Sequence, residues 1–343
     1  MPAETAVCQL LERQAMDYRG WLWVAPPRDA WLEEGEGRLL SADHAVVEAW
    51  RARGRLASSA LADDPCHEPV PPPGAVLFWP KSHALGEWWL LRLCQALPAG
   101  TPLQVAGENN GGIKRALKVL AALGLGCRKR DSARRCTLYE TRLEPVSLNP
   151  DLAWSRFEAE GLTLASHPGV FGHGKLDDGT RLLLERLPAL LPEGDAAMGE
   201  SETQHAVLDV GCGDGILAAW LARRGAAVTA VDVNAFAVEA TRRTLAANAL
   251  PGEALASDVY SRLEGRRFDA IVSNPPFHQE RAIDFGPAAR LIREAPAHLA
   301  PGGQLVLVAN AFLPYPDLLE AAFGSFEVLA DDRRFRVYRA VRR

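Results

Sequence analysis

The sequence predicts an α/β protein built as two tandem copies of one domain, each a mostly parallel sheet with helices on both faces. Three observations predict it. Apolar, strand-like runs alternate with amphipathic helical segments through the second half of the chain. The first half offers similar segments in a similar order. Short peptides recur between the halves: "LLER" stands at 10–13 and again at 183–186, and "AVLFWPKSH" lies opposite "AIVSNPPFH", with His83 opposite His278.

The second half reads in order. "AVLDVGCGDG" (206–215) is a strand entering a glycine-rich turn, and "ILAAWLARRG" is a short helix closed by Gly225. "AAVTAVDV" (226–233) is a buried strand, and 235–250 is a helix. "EALASDV" (253–259) and "FDAIVSNPP" (268–276) are strands. A helix at 286–299, the strand 303–310 and the helix "DLLEAAFG" follow, and "FEVLA" with "FRVYRAV" forms an antiparallel edge pair.

In the first half, the proline-rich stretch 63–74 is a surface connection. "AVLFWP" and 101–107 are strands, 85–97 and 113–124 are helices, and 136–144 is a strand. The basic run "CRKRDSARR" (127–135) is placed in a loop. "LPAGTPLQVAGEN" mirrors "LAPGGQLVLVAN", and Tyr139 mirrors Tyr338. "WLWVAPPRDA" stands where the second half writes "VLDVGCGDG", so the glycine loop is lost and the first copy is expected to bind no cofactor. The domains are set at 1–150 and 160–343, with the boundary within 144–161. The polar stretch 192–205 is an exposed loop.

At 343 residues the chain is long for one domain. Its 38 basic and 43 acidic residues leave a net charge of -5, so any nucleic-acid contact must come from a local patch. The six cysteines (Cys8, Cys66, Cys94, Cys127, Cys136, Cys212) form no C-x-x-C pair, which argues against a zinc site and a disulfide scaffold, and no metal is expected. No signal peptide and no membrane-length apolar run is read, and the expected compartment is the cytoplasm.

Gly211, Gly213 and Gly215 let a ligand approach the backbone near a helix N-terminus. Asp232 ends the following strand about twenty residues on, where an acid suits a ribose diol. Ile216 breaks the dinucleotide fingerprint, and Asp214 sets a carboxylate where a pyrophosphate would be repelled. S-adenosylmethionine has no phosphate and carries an ammonium and a sulfonium, so it suits the loop. Asp258 suits the adenine amine. Asp209, Val233, Val259 and Asn274 complete the candidate cofactor set.

"SNPPFHQE" (273–280) is rigid, because two prolines follow Asn274. An exocyclic amine conjugated to a ring is a poor nucleophile. The Asn274 side chain and the Pro275 carbonyl can accept its two hydrogens and turn its lone pair toward a methyl donor. Phe277 can stack on the base, or be a core aromatic. His278 can touch substrate or cap the next helix. Pro276 joins them as a candidate substrate contact, and no separate general base is needed.

"VLFWPKSHALGEWWLLRL", "LPAGTPLQVAGENNGG", "SNPPFHQ" and "ANAFLPYPDLLEAAFGSFEVLADDRRFRVYRA" together resemble the ribosomal RNA small-subunit methyltransferase C family, across both halves. The resemblance implies two tandem Rossmann-like class I methyltransferase domains with an inactive N-terminal copy. It also implies S-adenosylmethionine as cofactor, and the N2 amine of a guanine in 16S ribosomal RNA of the small subunit as acceptor. "PGVFGHGKLDDGTRLLLE" (168–185) is similar to the family's segment that folds over the cofactor, with Phe171, Lys175 and Asp178 as candidates or as parts of a structural loop. Arg128, Lys129 and Arg130, and the tail arginines 333, 334, 336, 339, 342 and 343, are candidate phosphate contacts or solvated faces. A monomer is expected. The alternatives are a large-subunit guanine-N2 methyltransferase, a release-factor glutamine N5-methyltransferase, which lacks the second copy and usually has tyrosine at the position of Phe277, and a non-catalytic RNA-binding assembly factor.

Overall fold

The computed structural model describes residues 1–63, 70–147, 149–190, 204–275 and 286–343. The chain forms two compact units, Met1–Trp154 and Ser155–Arg343.

Among the described residues the first unit holds seven strands: β1 (Leu22–Val24), β2 (Arg38–Ser41), β3 (Ala57–Ser59), β4 (Ala75–Phe78), β5 (Pro102–Glu108), β6 (Cys127–Ala133) and β7 (Cys136–Arg142). Helices α1 (Ala6–Glu12), α2 (Ala30–Glu34), α3 (His44–Ala52), α4 (His83–Ala96) and α5 (Ala116–Ala122) surround them. The sheet order is β3-β2-β1-β4-β5-β7-β6, parallel except for the pairings of β7. A cluster rich in aromatics, including Tyr18, Trp21, Trp23, Trp50 and Phe78, forms core here.

The second unit opens with a hairpin of β8 (Ser155–Ala159) and β9 (Leu162–Ser166), inside and just after the stretch expected as a boundary. Then follow β10 (Ala206–Val210), β11 (Ala227–Asp232), β12 (Glu253–Ala256), β13 (Phe268–Ser273), β14 (Leu299–Asn310), β15 (Glu327–Asp331) and β16 (Phe335–Val341). Its helices are α6 (Asp178–Leu184), α7 (Leu187–Leu190), α8 (Ile216–Arg223), α9 (Ala235–Ala247), α10 (Gly286–His298) and α11 (Tyr315–Phe323). The sheet order, β12-β11-β10-β13-β14-β16-β15, repeats that of the first unit strand for strand.

Side-chain alternation along these strands builds two cores on opposite faces of one sheet. Val207, Ala270, Val272, Val306 and Val308 pack with α6, α8 and α9. Leu208, Ile271, Leu305 and Leu307 pack with α10 and α11. Asp209 shares the Val207 face by the same alternation, which brings its carboxylate under α8.

The basic run 127–135 departs from expectation. It is an edge strand and its turn, not a loop. Arg134 and Arg135 both take positive φ, 51° and 62°, and join β6 to β7 as a two-residue hairpin turn. Arginine is not the residue that usually marks such a turn, so the strand is hidden from pattern reading.

Candidate active site

Strand polarity gathers the nominated groups at the C-terminal edge of the second unit's sheet. Val210 pairs with Val231 on one side and Ser273 on the other, and Asp232 pairs with Ala256. Asp258, Asp232, Gly211 and Asn274 therefore follow in order across that edge. Ser273 Oγ donates to the Val210 carbonyl at 2.7 Å, which ties the glycine-loop strand to the Asn274 strand.

Each loop glycine has a positive φ: 78° at Gly211, 57° at Gly213 and 83° at Gly215. Two of them need glycine for different reasons. A Cβ on Gly215 would stand 2.8 Å from Thr241 Cα, so α8 and α9 could not approach as they do. A Cβ on Gly213 would meet nothing within 4 Å. Gly213 thus faces open space beside the Asp232 carboxylate, whose Oδ2 accepts from Gly213 N at 3.2 Å. The other oxygen of Asp232 accepts from Asn234 N at 2.9 Å, and Asn234 caps α9.

Three carboxylates crowd this loop. Asp209 is fully buried, with Oδ2 accepting from Ala218 N at 3.1 Å and Oδ1 lacking a hydrogen-bond partner. Burial, then the charge of Asp232, pushes its carboxyl up to about 8. Burial likewise raises Asp214 to about 6. Such a site is short of positive charge. It fits the cationic groups of S-adenosylmethionine and disfavours a phosphate ligand.

Asp258 is occupied by a partner that the sequence reading did not name. Arg290 on α10 grips the carboxylate as a fork, at 3.0 Å to Oδ2 and 2.8 Å to Oδ1. Asp258 N donates to Ser261 Oγ at 3.0 Å, and Val259 beside it has φ 53°. A carboxylate has further lone pairs, so it can still accept from an adenine amine. Val233 is half-buried between Asp232 and the α9 cap.

Asn274 is held by residues missed in the sequence. Its Nδ2 donates to Asp177 Oδ2 at 2.9 Å and to Thr180 Oγ1 at 2.8 Å. Asp177 caps α6 by accepting from Thr180 N at 3.1 Å. The Asp-x-x-Thr spacing before an apolar run was a legible cap signal, but it points to a helix start and not to a partner 97 residues away. The neighbour Asp178, nominated instead, is exposed and pairs with Arg334 at 2.8 Å. Pro275 is buried. Pro276, Phe277 and His278 lie outside the described residues.

The 168–175 segment sits against the α9 end of the edge. His167 stacks on Phe236 with centroids 4.2 Å apart, and Asn234 Nδ2 donates to the Gly169 carbonyl at 2.7 Å. Burial drives His167 down to about 3, so it is a neutral packing group. Phe171 is 65% exposed and Lys175 is exposed.

The arginine candidates divide. Arg333 and Arg334 are exposed at the β15–β16 turn, on the site's end of the sheet, because β16 runs antiparallel to β14 with Phe335 opposite Asn310. Arg336 pairs with Asp331 at 2.7 Å. Arg342 lies at the opposite end, donating to the Leu299 carbonyl. In the first unit, Arg128 and Arg130 both pair with Glu140 on β7, and Lys129 is exposed between them.

The methyltransferase small domain family matches residues 161–339, and its N-terminal companion, the methyltransferase small domain N-terminal family, matches 10–155. Ribosomal RNA small subunit methyltransferase C of Chromohalobacter salexigens is 68% identical over 342 residues, covering 100% of this chain and 99% of the relative. The chain belongs to the ribosomal RNA small subunit methyltransferase C family. The Escherichia coli O9:H4 member of that family is 45% identical over 270 residues, covering 78% of this chain and 74% of the relative. A solved structure of the family, the T. thermophilus 16S rRNA N2 G1207 methyltransferase in complex with AdoMet and guanosine, superposes with a TM-score of 0.83. It is 31% identical and covers 100% of this chain and 94% of that one. Among the described residues no cluster of side chains could hold a metal ion, and no helix is long and apolar enough to cross a membrane.

Proposed function

We propose that the chain transfers a methyl group from S-adenosylmethionine to the exocyclic N2 amine of a guanine in 16S ribosomal RNA. The observation that carries this is the meeting, at one sheet edge, of an acid-lined glycine loop and a held Asn-Pro acceptor pair. Asp209, Gly211, Gly213, Gly215, Asp232, Val233, Asp258 and Val259, with Asn274, would hold the cofactor. When bound, the cofactor supplies a methyl group on a positively charged sulfur.

Asn274 Oδ1 and the Pro275 carbonyl then accept the two amine hydrogens and stabilise charge developing on nitrogen. That methyl would pass to the amine nitrogen with the carbon–sulfur bonding pair left on sulfur, and the methylated amine would release a proton to water. Phe277 is proposed as the stacking partner of the base, and Pro276 and His278 as further substrate contacts. The first unit serves to bind or orient the RNA, with Arg128, Lys129 and Arg130 as its phosphate contacts. The protein works as a cytoplasmic monomer on the small ribosomal subunit.

Labelled S-adenosylmethionine incubated with undermethylated small subunits, large subunits or release factor tests the reading. Label on small-subunit RNA is expected. Label confined to release factor or large subunits overturns the acceptor, and transfer to none of them overturns catalysis.

A further inference from the structure

An asparagine amide can point either end at its substrate, and only the carbonyl end can accept a hydrogen from an amine. What sets the orientation of Asn274 is thus part of the reaction, and this inference rests on the acceptor role proposed above. Asp177 Oδ2 lies 2.9 Å from Asn274 Nδ2. An ionised carboxylate has no hydrogen to donate, so the group facing it must be the NH2. Thr180 Oγ1 lies 2.8 Å from the same nitrogen. Its hydroxyl can donate or accept, so Thr180 fixes distance and plane but not polarity. The two acceptors together use both Nδ2 hydrogens, and Oδ1 becomes the end turned away from α6.

We infer that Asp177 and Thr180 are positioning residues for methyl transfer, a two-point clamp that fixes the Asn274 amide with its carbonyl toward the acceptor amine. The clamp is itself braced, because Thr180 is buried and Asp177 caps the helix that carries it. Accepting from Nδ2 also polarises the amide and makes Oδ1 a stronger acceptor as charge develops on the amine.

The internal repeat supports the grouping. Aligning the two "LLER" peptides places Glu4 and Val7 opposite Asp177 and Thr180, and Trp79 stands opposite Asn274. Glu4 is exposed, and Val7 has no hydroxyl. The copy that lacks the asparagine has lost both of its holders in the same form.

The decisive variant is Asp177→Asn. Asparagine caps a helix as well as aspartate does, so α6 is retained. Its side chain can donate as well as accept, so the polarity lock is gone. Turnover on small ribosomal subunits should fall about tenfold to a hundredfold, the loss expected for one hydrogen bond to a charged group. KM for the subunits, affinity for S-adenosylhomocysteine by calorimetry and Tm should stay close to those of the parent. Thr180→Val should lose turnover in the same way, and Thr180→Ser should restore it. Parallel losses of cofactor affinity or Tm in Asp177→Asn and Thr180→Val would make the pair structural and overturn the clamp. Full turnover in both, with Asn274→Ala inactive, would overturn the clamp alone. Full turnover in Asn274→Ala would remove the acceptor role and the clamp together.

Discussion

The two units share a sheet order, and they treat the same strand ends in opposite ways. In the second unit the end of β10 carries a buried carboxylate, Asp209, and a glycine loop. In the first, β1 carries Trp23 at the matching place, followed by Ala25, Pro26 and Pro27. The backbone is the same: Ala25 N donates to the Leu40 carbonyl at 2.8 Å as Gly211 N does to Val231, and Ala25 keeps a positive φ of 51°. The side chains are not. Ser41 replaces Asp232, and Trp79 replaces Asn274. Trp23 and Trp79 are buried, at 2% and 7% exposure. In the first unit, large aromatics at these strand ends add buried apolar area. The second unit forgoes that gain and keeps a buried acid with one oxygen unpartnered.

The largest effect should come from the residue on which the two units differ most plainly. Asn274→Ala should lower turnover about a hundredfold to a thousandfold, the scale seen when one preorganised hydrogen-bonding group is removed. Cofactor affinity should fall far less than turnover, because Asn274 is one contact in a cofactor set whose acids and glycine loop are untouched. The mirrored change, Trp79→Asn, should add no second methylating site. It should cost the first unit about 3–5 kcal/mol through the lost aromatic, seen as an earlier melting step. Equal losses of turnover and cofactor affinity in Asn274→Ala would break the functional side of the comparison.

The glycine loop sharpens it further. Gly215→Ala forces both a positive φ of 83° and a contact of 2.8 Å with Thr241 Cα. It should destabilise the second unit by roughly 2–4 kcal/mol, combining backbone strain with overpacking. Gly213→Ala meets no atom, so it should cost only about 1 kcal/mol in a thermal melt. It should nonetheless weaken S-adenosylhomocysteine binding by about tenfold, since a methyl group there occupies ligand space. Ala25→Gly, the reverse change in the first unit, should move Tm little and create no binding. Unchanged affinity in Gly213→Ala would remove the loop from the cofactor site.

Asp209 gives a pH-dependent version of the same contrast. Its carboxyl titrates near 8 in the folded protein against about 3.8 when unfolded, so the native state holds the proton more tightly. Its contribution therefore destabilises the fold progressively as pH rises from about 4 to about 8, and is absent below that window. Apo protein should lose Tm across this range. Asp209→Asn should flatten that part of the profile, while Trp23 offers the first unit no such dependence. An unchanged slope in Asp209→Asn, followed by differential scanning calorimetry from pH 5 to 8.5, would mean that other groups govern it.

Much of this was legible in the sequence where a pattern is local. The alternation of strands and helices, the glycines between β10 and α8, and the acid ending β11 are each written within about ten residues. The clamp was not, because Asp177 and Thr180 meet Asn274 only through tertiary folding. Arg290 was missed for the same reason, since nothing in "PAAR" announces the fork on Asp258. The edge strand β6 was hidden by an unusual turn chemistry at Arg134 and Arg135.

The basic run on β6 should give the smallest effect. Arg128 and Arg130 share Glu140, so their charge is partly neutralised, and charged side chains on an edge strand also keep other strands from pairing with it. Lys129→Ala should weaken binding of small-subunit RNA by less than about threefold and reduce the salt slope by about 1 at most. Glu140→Gln should act in the other direction, releasing two guanidinium groups and raising RNA affinity at low salt. A tenfold or larger loss for Lys129→Ala, measured by filter binding across a salt series, would make β6 a principal RNA contact. The first unit would then be a binding domain by its edge, and not only by the aromatic core that replaced its site.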